Sequence, residues 1–172
     1  MYGTLDDANS YHQARGNAAW ALGTDEARTG ALVRATDYID GRYRVLLASG
    51  RWASMFPGVR TAGRGQANEW PRTGARDYDG NPIEPDVVPD EVERATYEAA
   101  LRELASPGGL SPDYVASAAV TKEKVGPVEV TYADSSAAAA GQVPNRPVVS
   151  AIDEILAPLL RKPGTSPAVR VV

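Results

Sequence analysis

DEVERATYEAALRELA, residues 90–105, contains the clearest helical pattern in the chain. It begins after Pro89 and ends at SPGG, residues 106–109, so helix-breaking residues mark both of its limits. Between these limits, apolar side chains recur at helical spacing in two adjacent stripes: Val92, Ala95 and Ala99, and Tyr97, Leu101 and Leu104. Each apolar stripe needs a packing partner. The pattern therefore predicts a helix at the centre of the core, in contact with two neighbours.

Three further helices are predicted, two before this one in the chain and one after it. Thr4 and Thr24 each precede an acidic turn, so their hydroxyls can cap helices over about 5–15 and 25–40. The second of these helices has one broad apolar face: Leu32, Val33, Ala35 and Ile39. A last helix is expected over about 151–161, with Ser150 as its cap. Proline cannot donate a backbone hydrogen bond, so Pro158 should bend or shorten that helix.

The remaining segments are predicted to be extended or irregular. Residues 119–125 and 128–132, separated by Gly126-Pro127, read as two strands, the second of which alternates apolar and polar residues. They predict a β-hairpin, which needs another surface to lean on because a lone hairpin is marginally stable in water. Residues 51–89 contain too many Pro and Gly residues for an ordinary helix. That segment also contains aromatic residues that argue against disorder: Trp52, Phe56 and Trp70.

These elements together predict a mainly α fold. We expect a small helical bundle with a protruding β-hairpin, a long irregular loop and an extended C-terminal arm. A single domain is expected over 1–161, with its irregular excursion at 51–89 and its hairpin at 119–132. The arm is expected over 162–172.

Composition limits the classes of function. The chain has 172 residues, a formal net charge of −4 and no cysteine. Disulfides, zinc–thiolate sites and thiol nucleophiles are therefore excluded. No segment approaches the ~20 apolar residues that a membrane helix needs, and the start MYGTLDD is unlike a signal peptide. We expect a soluble protein that stays inside the cell.

The sequence contains no recognisable catalytic motif. The only histidine is His12, and one histidine cannot form a triad, so we expect it to be a packing or solvated residue. GRGQAN, residues 63–68, lacks the third glycine of a dinucleotide-binding loop. The acidic residues within 77–86 depart from the EF-hand spacing, so a solvated turn is expected there. We predict no enzyme activity, no catalytic residue, no metal site and no cofactor.

Basic charge is concentrated in one segment. Every basic residue between positions 41 and 76 is an arginine: Arg42, Arg44, Arg51, Arg60, Arg64, Arg72 and Arg76. Glu69 is the only acid there. Interleaved arginines and aromatics can bind DNA, with guanidinium groups on phosphates and rings stacked on bases. The same pattern also fits core aromatics and arginines that pair with neighbouring subunits. The candidates for a DNA-channel or inter-subunit role are Arg51, Arg60, Arg64, Arg72 and Arg76.

The C-terminal residues form a second signal. They are Ala168, Val169, Arg170, Val171 and Val172. An apolar, extended tail of this kind can add a strand to another protein's sheet. A frayed terminus is the other interpretation, and the residues leave both open.

Five segments carry a resemblance to known proteins. YGTLDDANSYH at 2–12, ALVRATDYID at 31–40 and WPRTGA at 70–75 are similar to a phage group often labelled DnaT-like single-stranded-DNA-binding protein. VPDEVERA at 88–95 and KEKVGPVEVTY at 122–132 are more generally adaptor-like. The whole chain thus resembles the head-to-tail adaptor, or connector, proteins of long-tailed bacteriophages.

The adaptor resemblance implies a structural virion protein whose copies form a ring, dodecameric by analogy, between the portal and the tail. DNA would pass through the central channel. The implied partners are the portal protein, a tail-side neck protein (stopper or tail terminator) and genomic DNA in transient, non-specific contact, with no membrane. The protein would be made in the host cytoplasm and located at the virion neck. The implied portal-binding arm is Ala168 to Val172. The implied inter-subunit or tail-side hairpin consists of Lys122, Lys124, Val125, Gly126, Pro127 and Val128.

The DnaT-like label implies a replication-associated single-stranded-DNA-binding protein instead. A net charge of −4 fits such a binder poorly. The two-striped helix, the hairpin and the tail all favour protein partners. On these grounds the sequence favours the adaptor, with the single-strand binder as the alternative.

Overall fold

Helices dominate the computed structural model, which describes residues 1–112, 122–125, 128–131 and 148–161. In these ranges the α-helices are α1 (Leu5–Ala14), α2 (Ala18–Ala21), α3 (Asp25–Arg42), α4 (Asp90–Ala105) and α5 (Ser150–Leu156). The prediction of a mainly α fold with a hairpin is confirmed. Helix α2 is an addition that the sequence did not predict, because four residues are too few to show a helical period.

The strands are short and pair as neighbours along the chain. The antiparallel pairs are β1 (Arg44–Leu46) with β2 (Trp52–Ser54), β3 (Val59–Arg60) with β4 (Arg72–Thr73), and β5 (Lys122–Val125) with β6 (Val128–Thr131). The last pair is the hairpin that the sequence predicts, and its predicted outer residues, 119–121 and 132, lie outside the described residues. Its Val125–Val128 register leaves Gly126 and Pro127 as the connection, and these two lie outside the described residues.

Helix α4 is the centre of the core, as predicted. It contacts both α3 and α5. Its residues Val92, Ala95 and Ala99 are fully buried. The core cluster also takes in residues from both ends of the described chain, from Tyr2 to Leu159. Helix α4 also contacts α1 and α2, so it has more packing partners than the two that its stripes predict.

The helix ends agree with the sequence at α1 and α3 and differ at α5. Thr4 Oγ1 accepts from the Asp7 N–H at 3.1 Å, and Thr24 Oγ1 accepts from the Ala27 N–H at 3.2 Å. Ser150 does not cap α5: it is the first helical residue, and the preceding residue makes no side-chain cap bond. The helix ends at Leu156 and continues as a 3₁₀ turn, Ala157–Leu159, that contains Pro158.

Two further predictions about the body need correction. Val33 is 45% exposed, because it lies about 100° around the helix from the buried Leu32 and about 200° from the buried Ala35. The segment 51–89 is not one long irregular loop: β2, β3 and β4 lie in it, with a 3₁₀ turn at Gly63–Gly65. Strands of two or three residues are too short to show an alternating pattern. Their pairing depends on residues that are distant in sequence, so the high Pro and Gly content of the segment gave no sign of it.

Several predicted features lie outside the described residues. These are the whole arm, 162–172, with Ala168 to Val172, and the outer residues of the predicted hairpin strands, 119–121 and 132. In the part of the chain that the structure describes, no helix has the length and apolar content to cross a membrane.

Candidate nucleic-acid interface

The β1–β2 hairpin presents an aromatic ring and a cation on one face. Arg44 pairs with Ser54 and Leu46 pairs with Trp52, and paired residues of antiparallel strands point to the same side. Arg44 and Trp52 are thus diagonal neighbours on that side. The side chain of Trp52 is 50% exposed. An exposed tryptophan of this kind is a flat surface on which a base can stack.

Two more arginines belong to this strand-rich segment and are candidates for the same surface. Arg51 directly precedes Trp52 and is exposed at the end of the hairpin turn, where its carbonyl accepts from the Leu47 N–H at 2.9 Å. Arg60 is half-buried on β3, opposite Arg72 of β4. We call Arg44, Arg51, Trp52 and Arg60 the Trp52 surface.

Below this surface lies a buried ion pair between Glu69 and Arg72. Arg72 Nη1 donates to Glu69 Oε2 at 2.6 Å, and both side chains are at least nine-tenths buried. Arg72 also donates to the carbonyls of Pro57, at 2.6 Å, and Gly58, at 2.8 Å. Burial lowers the pKa of Arg72, and the adjacent Glu69 carboxylate opposes that effect. The Arg72 guanidinium donates its hydrogen bonds to Glu69 and to these two carbonyls. Arg72 therefore stabilises the fold and is not available to bind DNA or another subunit.

Glu69 also reaches the Trp52 surface. Its second oxygen, Oε1, accepts from Arg44 Nη2 at 3.3 Å. The side chain of Arg44 is 44% exposed, so part of its guanidinium faces solvent. Sequence reasoning missed the role of Glu69, although its position as the only acid among seven arginines was a usable signal.

A second buried carboxylate, that of Asp40, accepts a hydrogen bond from the backbone of Glu69. The Tyr2 hydroxyl donates to Asp40 Oδ1 at 2.5 Å, and the Glu69 N–H donates to Asp40 Oδ2 at 3.1 Å. The same tyrosine hydroxyl accepts from the Trp70 N–H at 3.0 Å. Burial raises the pKa of Asp40 to about 6, although both donors act to lower it. The cluster links the N-terminus, α3 and the segment before β4.

The other predicted arginines lie apart from the Trp52 surface. Arg64 is exposed in the 3₁₀ turn. Arg76 is exposed and donates to the Gly80 carbonyl at 2.7 Å in a turn where Asp77 accepts from Asn81. Both therefore lie in turns and not on the strands that contain Arg44, Trp52 and Arg60. The three aromatic residues also differ in exposure. Phe56 and Trp70 are each 2% exposed and belong to the core, whereas Trp52 is 50% exposed.

Histidine 12 is buried, as one of the two interpretations of its sequence context expects. Its ring centroid lies 4.4 Å from that of Trp20, and Nδ1 lies 3.0 Å from Asn17 Nδ2. Burial lowers its pKa.

The predicted hairpin residues lie on β5 and β6: Lys122, Lys124, Val125 and Val128.

Taken together, the Trp52 surface offers three guanidinium groups and one stacking ring. Guanidinium groups bind phosphates through charge-assisted hydrogen bonds, and a tryptophan ring stacks on bases without regard to sequence. Such a combination fits a flexible single strand, whose bases are free to stack, better than a duplex, whose bases are already paired.

The family comparison favours one of the two functions that the sequence left open. A family model described as "Putative DnaT-like ssDNA binding protein" matches residues 1–172. The chain belongs to this family. No curated protein and no solved structure matches it.

The interpretation as a head-to-tail connector is therefore wrong. Membership of a DnaT-like family supports the alternative, and nothing in that match supports a dodecameric ring, a portal protein or a tail-side neck protein as partners. The physical error was to weigh net charge over local charge. A total of −4 is compatible with a basic surface where seven arginines and one acid share 36 consecutive residues, 41–76.

Proposed function

We propose that this protein binds single-stranded DNA through the Trp52 surface, and that it acts as a binding protein and not as an enzyme. The observation that carries the proposal is the half-exposed Trp52 beside Arg44 on one hairpin face. Family membership supports the same ligand class. In the bound state, a base would stack on the indole while Arg44, Arg51 and Arg60 contact neighbouring phosphates.

The test is binding of a fluorescently labelled oligothymidylate, followed by anisotropy at low salt. Trp52→Ala should weaken binding by roughly 5- to 150-fold, the range that corresponds to loss of one stacked base. Tyr78→Ala is the matched control, since Tyr78 is 73% exposed and lies outside the Trp52 surface. That control should bind like the unchanged protein.

Two results would contradict the proposal. One is absence of binding by the unchanged protein at low salt. The other is equal affinity of the Trp52 and Tyr78 variants. Trp70→Ala is not a useful variant, because Trp70 is buried in the core and its loss would act through stability.

A further inference from the structure

We propose that Glu69 is a positioning residue that holds the guanidinium of Arg44 on the Trp52 surface, ready for a phosphate. The inference rests on the proposed function and names a buried residue on which that site depends. Neither the family match nor the composition of the segment assigns this role. It follows from the way in which one carboxylate is shared between a buried arginine and an exposed one.

The carboxylate of Glu69 is fixed from the protein side. One oxygen accepts from Arg72 at 2.6 Å, and the Glu69 backbone carbonyl accepts from the same guanidinium at 3.1 Å. Arg72 is fixed in turn by the carbonyls of Pro57 and Gly58. Rotation of Glu69 would leave Arg72 without its buried counter-charge, which is costly. The other oxygen therefore stays directed at Arg44.

The charges leave Arg44 attractive to an anion. While Asp40 is protonated, below its pKa of about 6, the two guanidinium groups and one carboxylate of Arg44, Arg72 and Glu69 sum to +1, and ionisation of Asp40 brings the cluster to zero. Because Arg72 already compensates Glu69, the exposed guanidinium is held in place without being fully neutralised. Its side chain is 44% exposed, whereas that of Glu69 is 10% exposed, so an incoming phosphate meets the cation first.

Positioning and simple charge counting predict opposite signs for one substitution. Glu69→Gln removes a negative charge, which by itself should tighten DNA binding by an acidic protein. Loss of positioning should weaken binding instead, because ordering a free arginine side chain on binding costs roughly two- to tenfold in affinity. The sign of the change therefore distinguishes the two effects.

The experiment compares oligothymidylate binding by five proteins at one low salt concentration: the unchanged chain, Glu69→Gln, Arg44→Ala, the double variant and Asp37→Asn. Asp37 is exposed on α3, so Asp37→Asn is a control for loss of one negative charge. Glu69→Gln should bind roughly two- to tenfold more weakly than the unchanged protein. Asp37→Asn should bind equally or more tightly. With Arg44 already replaced by alanine, Glu69→Gln should cause no further loss.

Unchanged or tighter binding by Glu69→Gln would overturn the inference. So would an undiminished loss in the Arg44→Ala background, because Glu69 would then act through the fold alone. A second measurement needs no variant: ¹⁵N relaxation of the arginine side chains in the unchanged protein should show a more restricted guanidinium at Arg44 than at Arg51. Equal mobility of the two would also overturn it. Absence of DNA binding with a restricted Arg44 would count against the proposed function and leave the positioning geometry supported.

Discussion

Asp40 illustrates how one buried residue is shaped by partners that are far away in the chain. Its carboxylate accepts hydrogen bonds from Tyr2, which is 38 residues away, and from the backbone of Glu69, which is 29 residues away. Burial of the charge is the largest influence on its pKa, which rises from 3.8 to about 6. The folded protein therefore holds this proton more tightly than the unfolded chain does.

The pH dependence of stability follows from that pKa. The stabilising contribution of Asp40 should be fully present below about pH 4 and should be lost as the pH rises through about 6. Site-specific NMR titration of the Asp40 carboxyl carbon should show a midpoint near 6. Tyr2→Phe removes one of the bonds that lower the pKa, so its midpoint should move higher still. A midpoint near 4 in the unchanged protein would show that the carboxylate is not desolvated.

At the scale of elements, Arg72 connects strands that are too short to be stable alone. β3 and β4 contain two residues each. The Arg72 guanidinium bonds to the chain that enters β3 and to Glu69 in the chain that enters β4. Gln66 closes the intervening loop by donating from Nε2 to the carbonyls of Asn68 and Pro71, at 2.9 Å each. Side-chain bonds to the backbone thus replace the extended ladder that two-residue strands lack.

Removal of Arg72 should therefore be strongly destabilising. Arg72→Leu leaves the buried Glu69 without its main counter-charge, and we expect a loss of about 3–5 kcal/mol in the free energy of unfolding. Arg64→Leu makes the matched change at an exposed arginine, and it should stay within about 0.5 kcal/mol of the unchanged protein. Urea denaturation followed by circular dichroism measures both. Similar stabilities for the two variants would show that the buried pair is not needed for folding.

For the whole molecule, the main feature is a local excess of positive charge on a chain of net charge −4. The Trp52 surface contributes three of the chain's arginines, and the buried Arg72 is compensated by Glu69. Repulsion from the rest of the protein opposes DNA binding at long range, and salt screens that repulsion within about 10 Å at 0.1 M. Direct phosphate contacts should nevertheless dominate the salt dependence.

The salt dependence should report how many arginines contact phosphates. For single strands the logarithm of the binding constant falls by about 0.7 per decade of salt for each contact. Contacts by Arg44, Arg51 and Arg60 therefore predict a slope of about −2. Arg51→Ala should make the slope shallower by about 0.7, while Arg94→Ala, at an exposed position on α4, should leave it unchanged. If Arg51→Ala and the unchanged protein have the same slope, Arg51 does not contact a phosphate.

Features that depend on residues close together in the chain were predictable from the amino-acid pattern. Helix α4 has the predicted limits, Asp90–Ala105, because its apolar period and its helix breakers are local. The Thr4 and Thr24 caps formed for the same reason, since each hydroxyl bonds a backbone N–H three residues later. The concentration of arginine between 41 and 76 was equally visible.

Which arginines and aromatics are exposed to a ligand depends on how the segments of the chain pack together. Arg51 and Arg72 belong to the same run of arginines, yet Arg51 is exposed and Arg72 is buried. Arg72 bonds to carbonyls 14 and 15 residues away, and no pattern in the chain records those distances. Trp52 and Trp70 diverge likewise, because exposure is set by what other elements cover. Local order follows from neighbours in sequence, whereas burial follows from contacts between segments that meet only when the chain folds.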